Sequence, residues 1–185
     1  MRVSVPLRRA YKLINHGPTT LITSRAGDRR NVMTAAWVMA IDFDPARLVA
    51  VIAADTFTRR LVESSGEFVV NVPTAKMIDT VYAAGRVSGD DEDKFATLAL
   101  AASPASIVGA PLLDGCAAWL ECRIVPEPQM QERYDLFVAD VVAAWADDAS
   151  FVDGVWRFPR DEDRTLHHLS GGVFVQSGDV VRAKS

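Results

Sequence analysis

The sequence predicts a mainly β fold of the α+β class, a closed antiparallel barrel with peripheral helices. Two observations predict it. Segments of strand length dominate the chain, and the helical segments fall between them without the regular β-α-β alternation of a doubly wound sheet. Neither a Gly-x-Gly-x-x-Gly turn nor a Gly-Lys-Ser/Thr loop occurs in the 185 residues, so the glycines of the usual parallel-sheet nucleotide motifs are missing. The length suits a single domain, 1–185, able to bury a core without disulfides or a structural metal.

Residues 6–14 place Leu7, Ala10, Tyr11 and Ile14 at the i, i+3, i+4, i+7 spacing of a short amphipathic helix. Residues 19–24 and 31–41 read as two strands of a hairpin, because Ala26-Gly27-Asp28 between them supplies turn residues. A third strand is expected at 48–53, after Asp44-Pro45, and a helix at 57–64 closed by Gly66 as its C-terminal cap. Residues 67–72 return as a strand ending at Pro73. Segments 77–84 and 93–101 are expected to be helical, the acids before Lys94 suiting a helix N-terminus. Between them the loop Gly85-Arg86-Val87-Ser88-Gly89 is a candidate for a site. Residues 116–125 and 134–146 are β-rich and joined by a Pro-containing turn, the second rich in Val and Phe like a buried strand.

Composition excludes several classes. No apolar run approaches the roughly 18 to 20 residues of a membrane helix, and Met1-Arg2-Val3-Ser4-Val5-Pro6 lacks the apolar core of a secretory signal. A cytoplasmic protein with no membrane association is therefore expected. Cys116 and Cys122, six apart in one expected strand, would share a face but lie too far apart to bond, so both read as small core residues. A net charge of −4 argues against a nucleic-acid partner. Residues 1–30 nevertheless carry seven Arg or Lys and one acid, whereas Asp90-Asp91-Glu92-Asp93 is an acidic run. An anion site near the first hairpin and a solvated face are both open readings. No Gly-x-Ser-x-Gly elbow is present, and the adjacent His167 and His168 lack the spacing that aims two imidazoles at one metal.

The segment Asn31-Val32-Met33-Thr34-Ala35-Ala36-Trp37 carries the most information. Small Ala35 and Ala36 keep the strand surface low, so a flat ring system can approach the main chain. Thr34 and free amides would bond its polar rim while Trp37 covers apolar area. Taken alone, such a run most often means an ordinary core strand.

Further segments follow in order: Phe43-Asp44-Pro45, Thr56-Phe57-Thr58, Gly66-Glu67-Phe68-Val69-Val70-Asn71-Val72-Pro73, Ser88-Gly89 with Asp93-Lys94-Phe95, Leu120-Glu121-Cys122-Arg123, and His167-His168 with Gly172-Val173-Phe174. In order and spacing the chain resembles the flavin reductase-like family of FMN-binding split β-barrels, and its flavoredoxin-type members in particular. That resemblance implies that Asn31, Val32, Met33, Thr34, Ala35, Ala36 and Trp37 lie against FMN. It places Thr56, Thr58 and Lys94 at the phosphate end, with Ser88 of the candidate loop also on the cofactor. Thr56 reads equally as a helix cap and Lys94 as a surface partner of the preceding acids. His167 and His168 on the substrate side, and Phe174 on the flavin, are implied as walls; a polar edge strand plus one core Phe is the alternative. Relatives often carry Gly-Asp-His before the strand at 136, with the His near the nicotinamide. Here the residues are Glu132-Arg133-Tyr134, so Tyr134 takes the His position.

The activity implied is transfer of hydride from C4 of NADH or NADPH to flavin N5, for which the cofactor carries the chemistry and no catalytic side chain is needed. An FMN electron carrier serving an acceptor protein is the second implied reading, and a module for another planar ligand such as haem or a deazaflavin a third. The resemblance also implies a homodimer with cofactor sites near the subunit interface.

Overall fold

The computed structural model describes residues 1–184. The chain begins with β1 (Arg2–Ser4), helix α1 (Leu7–Ala10) and a 3-10 turn, Tyr11–Leu13. Strands β2 (Thr20–Ala26), β3 (Arg29–Ala35), β4 (Val38–Phe43) and β5 (Ala46–Val51) precede helix α2 (Phe57–Ser65) and strand β6 (Glu67–Val72). Helices α3 (Ile78–Ala84) and α4 (Lys94–Thr97) flank the candidate loop, and β7 (Ala102–Ser103) pairs with β8 (Leu112–Leu113). Then come β9 (Ala118–Val125), helix α5 (Pro128–Tyr134) and the long β10 (Leu136–Asp147). Two hairpins finish the chain: β11 (Phe151–Val152) with β12 (Val155–Trp156), and β13 (Leu166–Ser170) with β14 (Val173–Gln176).

The main sheet is antiparallel in the order β3-β2-β6-β9-β10-β5-β4, with β1 added to β10. Strands β3 and β4 thus form opposite edges, yet only Ala36 and Trp37 separate them in the chain. So short a link spans about 11 Å at most, which forces the two edges together at that end and rolls the sheet into a split barrel. The barrel encloses one core, with Ile22, Leu48, Phe68, Leu120 and Phe137. A second core lies on the other face, with Leu21, Val32, Val69, Phe95, Trp119 and Leu166. Neighbours such as Leu21 and Ile22, or Trp119 and Leu120, serve different cores because strand side chains alternate. Burial on both faces explains why these strands read as nearly continuous apolar runs.

Several expected elements differ in extent. The strand expected at 31–41 breaks at Ala36-Trp37, the turn that changes sheet edge. The first helix stops at Ala10 and tightens into the 3-10 turn, leaving Leu7 exposed. Only Lys94–Thr97 of the helix expected at 93–101 forms, opened by the Asp93 carboxylate accepting from the Phe95 amide and closed where Ala99 turns to a φ of 50°. The expected Pro-containing turn is helix α5, with Pro128 in its first turn, a position that tolerates proline. Tyr134 therefore ends a helix and does not open a strand. Cys116 precedes its strand and packs in the second core beside Met77, while Cys122 lies in the barrel core, so the two do not share a face. Both are free and buried, and burial pushes both thiols up from their ordinary range.

Two polar clusters tie peripheral segments to the barrel. Glu121, fully buried on β9, accepts from the amides of Ser106, Ile107 and Val108 at 3.0, 2.7 and 3.2 Å, from Ser106 Oγ at 2.9 Å and from Trp145 Nε1 at 2.8 Å. Burial alone would raise its pKa, but these donors outweigh burial and hold the carboxyl below its ordinary value. At the other end, His168 N donates to Thr19 Oγ1 and Thr19 N to the Leu166 carbonyl, seating the β13–β14 hairpin. His16 Nε2 lies 3.0 Å from Thr165 Oγ1, and its ring packs edge-on against His167 and Trp156. Burial, then the neighbouring His167, lowers the His16 pKa from 6.5 to about 4.

Replacing Glu121→Ala strands an indole N–H and three amides; a loss of about 2–4 kcal/mol is expected, read by urea denaturation. For His16 the unfolded chain binds the extra proton between pH 6.5 and about 4, so stability falls as pH drops through that window. The melting midpoint should decline more steeply there for the native chain than for His16→Phe, and equal slopes would remove His16 as the source.

Candidate functional site

Strand β3 is a sheet edge, so every second residue turns its N–H and C=O away from β2. Side chains and helix ends cover this edge. Lys94, buried, donates through Nζ to the Val32 carbonyl at 2.9 Å and the Ala84 carbonyl at 2.7 Å, tying β3 to the end of α3. Thr34 Oγ1 donates to the Val81 carbonyl one turn earlier. The loop after α3 can then lie flat on the strand because it offers glycines. A Cβ on Gly85 would sit 3.3 Å from Thr34 Cβ, and one on Gly89 would collide with Asn31 Oδ1 at 2.4 Å and Phe57 Cδ1 at 2.5 Å.

Two cavities follow this edge. The first, of about 260 Å³, is polar: Asn31, Met33, Thr34, Thr56, Thr58, Ser88 and Lys94 line it together with Asp55, Phe57 and Arg86. Asn31 Nδ2 donates to Thr58 Oγ1 at 2.8 Å, and Ser88 Oγ accepts from the Asp90 amide. Thr56 caps α2, its hydroxyl accepting from the Arg59 amide at 3.2 Å and donating to the Ala53 carbonyl at 2.8 Å. The second cavity, of about 400 Å³, is lined by Ala36, Val81, Tyr82, His168 and Phe174, with Thr34, Gly85 and Arg86 common to both. The His168 ring lies 5.1 Å from that of Phe174, and its Nε2 is 2.9 Å from the Gly171 carbonyl.

The structure thus brings together Asn31, Met33, Thr34, Ala36, Thr56, Thr58, Ser88, Lys94, His168 and Phe174. It separates others. Val32 and Ala35 are buried in the two cores, facing neither cavity. Trp37 is 74% exposed beyond the bend and lines neither cavity. Tyr134, at 60% exposure, ends α5 outside both cavities. His167 points opposite to its neighbour on β13, its Nδ1 2.9 Å from the Gly17 carbonyl and its Nε2 3.1 Å from Ser177 Oγ. Lys94 is no surface partner of the acids before it, and burial lowers its pKa. Of the basic residues of the first hairpin, Arg29 and Arg30 lie over the rings of Phe57 and Phe95 and share a surface cavity with the acidic run Asp90-Asp91-Glu92-Asp93.

Sequence reasoning missed Tyr82 as a lining residue and named Arg86 only as part of the candidate loop, with no role. Their i, i+4 spacing at the end of an expected helix was the available signal, and Arg86 Nη1 does donate to Tyr82 Oη at 2.9 Å. Arg59 was missed too: buried, it bonds Glu63, Asp135 and the carbonyls of Ile52 and Gln131, anchoring α5 to α2. Together the cavities suit an elongated ligand with one anionic, hydroxyl-bound end and one flat apolar end. Among the described residues no cluster of three or more His, Cys, Asp or Glu is placed to hold a metal ion, and no helix is long and apolar enough to cross a membrane.

The model of the flavin reductase like domain matches residues 14–160. An uncharacterized protein of Escherichia coli K12, YddH, is 43% identical over 98% of this chain and 97% of its own. Among solved structures, an FMN-binding domain of a flavin reductases-like enzyme from Shewanella baltica superimposes with a TM-score of 0.97 at 38% identity, covering 100% of this chain and 98% of that one. Flavoredoxin of Desulfovibrio vulgaris shares the fold, with a TM-score of 0.78 at 22% identity over 90% of each chain. The split barrel with two adjacent cavities on its β3 edge is thus that of an FMN-binding fold, and the chain belongs to the flavin reductase-like family.

Proposed function

We propose that residues 1–185 act as one FMN-binding oxidoreductase domain that accepts reducing equivalents from NADH or NADPH. The observation that carries this reading is the pair of adjacent cavities along the β3 edge, one lined by hydroxyls and Lys94 at α2, the other by Ala36, Val81, His168 and Phe174. Bound FMN would supply hydride acceptance at N5. Asn31, Thr56, Thr58, Ser88 and Lys94 would form the phosphate and ribityl end, where hydroxyls and a helix start suit an anion. Thr34, Ala36 and Phe174 would hold the ring, the small Ala36 allowing close approach and the outward amides of β3 meeting its polar rim. His168 would wall the side from which a second ring approaches. Val32 and Ala35 support that surface from behind.

An FMN electron carrier working with an acceptor protein is the second reading. The exposed position of Tyr134, where relatives often place a nicotinamide-side imidazole, favours it. Self-association as a homodimer belongs to the same proposal. Trp37, just before β4, and Met39 and Phe43 within it present apolar side chains to solvent, at 74%, 60% and 60% exposure, and such a row is a common mark of an interface. A cytoplasmic location also belongs to it, since both thiols are unpaired.

An anaerobic absorption spectrum after mixing with FMN and desalting tests the cofactor. A retained flavin band that NADH or NADPH bleaches is expected; a retained band that neither bleaches supports the carrier. No retained band and no turnover of added flavin would end the flavin reading. Light scattering should give twice the 20.2 kDa chain mass for the native protein and the single mass for Met39→Glu.

A further inference from the structure

We propose that Arg86 is the cation that meets the phosphate of the bound flavin, and that Lys94 is a brace holding the wall of the site. The inference rests on the flavin reading and assigns its charges differently from the sequence. Two cations and one carboxylate, Asp55, line the polar cavity. Their states differ. The Lys94 ammonium is buried, and two of its three N–H groups are committed to the carbonyls of Val32 and Ala84. Those bonds join the edge strand to α3, so their loss would leave two carbonyls without partners near the cavity wall.

Arg86 is exposed at the neck common to both cavities. Among the described residues its side chain makes no ion pair, and the one side-chain hydrogen bond runs to Tyr82 Oη at 2.9 Å. That contact orients the guanidinium and leaves four of its five N–H donors free. Nearby arginines are engaged elsewhere: Arg60 grips both oxygens of Asp90, and Arg29 lies over Phe57 with Nη2 3.4 Å from the Gly89 carbonyl. A planar fork beside the hydroxyls of Thr56 and Ser88 matches a phosphate monoester, which takes paired N–H donors better than a point charge. Gly85 supports this arrangement, since it keeps the loop within contact of Thr34 and holds the next residue over the cavity.

The test compares FMN with riboflavin, which lacks the phosphate, by quenching of flavin fluorescence. In the native chain FMN should bind more tightly than riboflavin. Arg86→Gln should weaken FMN by roughly 10- to 100-fold and riboflavin by less than about twofold. Arg86→Lys should restore part of the loss, and the salt dependence of FMN binding should flatten in Arg86→Gln. Lys94→Gln should lower the melting midpoint and weaken both flavins together, keeping their ratio. An unchanged ratio in Arg86→Gln would overturn the assignment, as would a collapsed ratio in Lys94→Gln at an unchanged midpoint. If the native chain binds neither flavin, the cofactor reading itself fails and this one with it.

Discussion

Everything at the site depends on the open edge of β3. A strand edge presents unpaired amides and carbonyls that must be bonded, covered or used. This chain does all three. Lys94 takes the Val32 carbonyl, Thr34 fastens the strand to α3, and the glycine loop covers what remains. The groove left between strand and loop holds the two cavities. Because β2 and the two cores fix β3 from behind, the ligand-facing backbone is positioned before anything binds, which limits the ordering cost of binding.

Much of the fold was legible in the residues. Apolar runs, the glycine and proline stops and the Thr56 cap located most strands and helix α2, because those signals are local. What stayed hidden was set by distant contacts. Nothing near Ala36 shows that β3 and β4 occupy opposite edges; that follows from β5 pairing with β10, far along the chain. Helix α5 reads as a turn because its helical state leans on Arg59, whose guanidinium reaches Gln131 and Asp135 from another helix.

The site was legible in the same uneven way. The strand Asn31 to Ala35 and the residues Thr56, Thr58 and Ser88 converge because each belongs to a segment whose local form the sequence specifies. Packing decides the rest: Val32 shares a strand face with Thr34 and Ala35 with Met33, but each of the two is taken up in a core. His167 and His168 divide by alternation, one toward His16 and Gly17 and the other toward Phe174. A motif names a stretch of chain, whereas a ligand meets side chains, and strand geometry sorts one from the other. Charge escaped for a different reason. Formal charge marks Lys94 and Arg86 alike, and only burial and hydrogen-bond partners distinguish a committed cation from a free one.

In the proposed dimer, the link Ala36-Trp37 joins cofactor chemistry to self-association. Ala36 lines the larger cavity, while Trp37 starts the apolar row that continues through Met39 and Phe43 along β4. Neighbours in a chain cannot move independently over a few ångströms. A second copy packed on that row would fix Trp37, and through one peptide bond it would fix the cavity wall at Ala36. The same two residues that roll the sheet would then set how firmly the ring end of the site is held. Trp37 accordingly fits an interface better than a cover for its own chain's ligand: it is exposed and lines neither of the cavities that its motif helps to build.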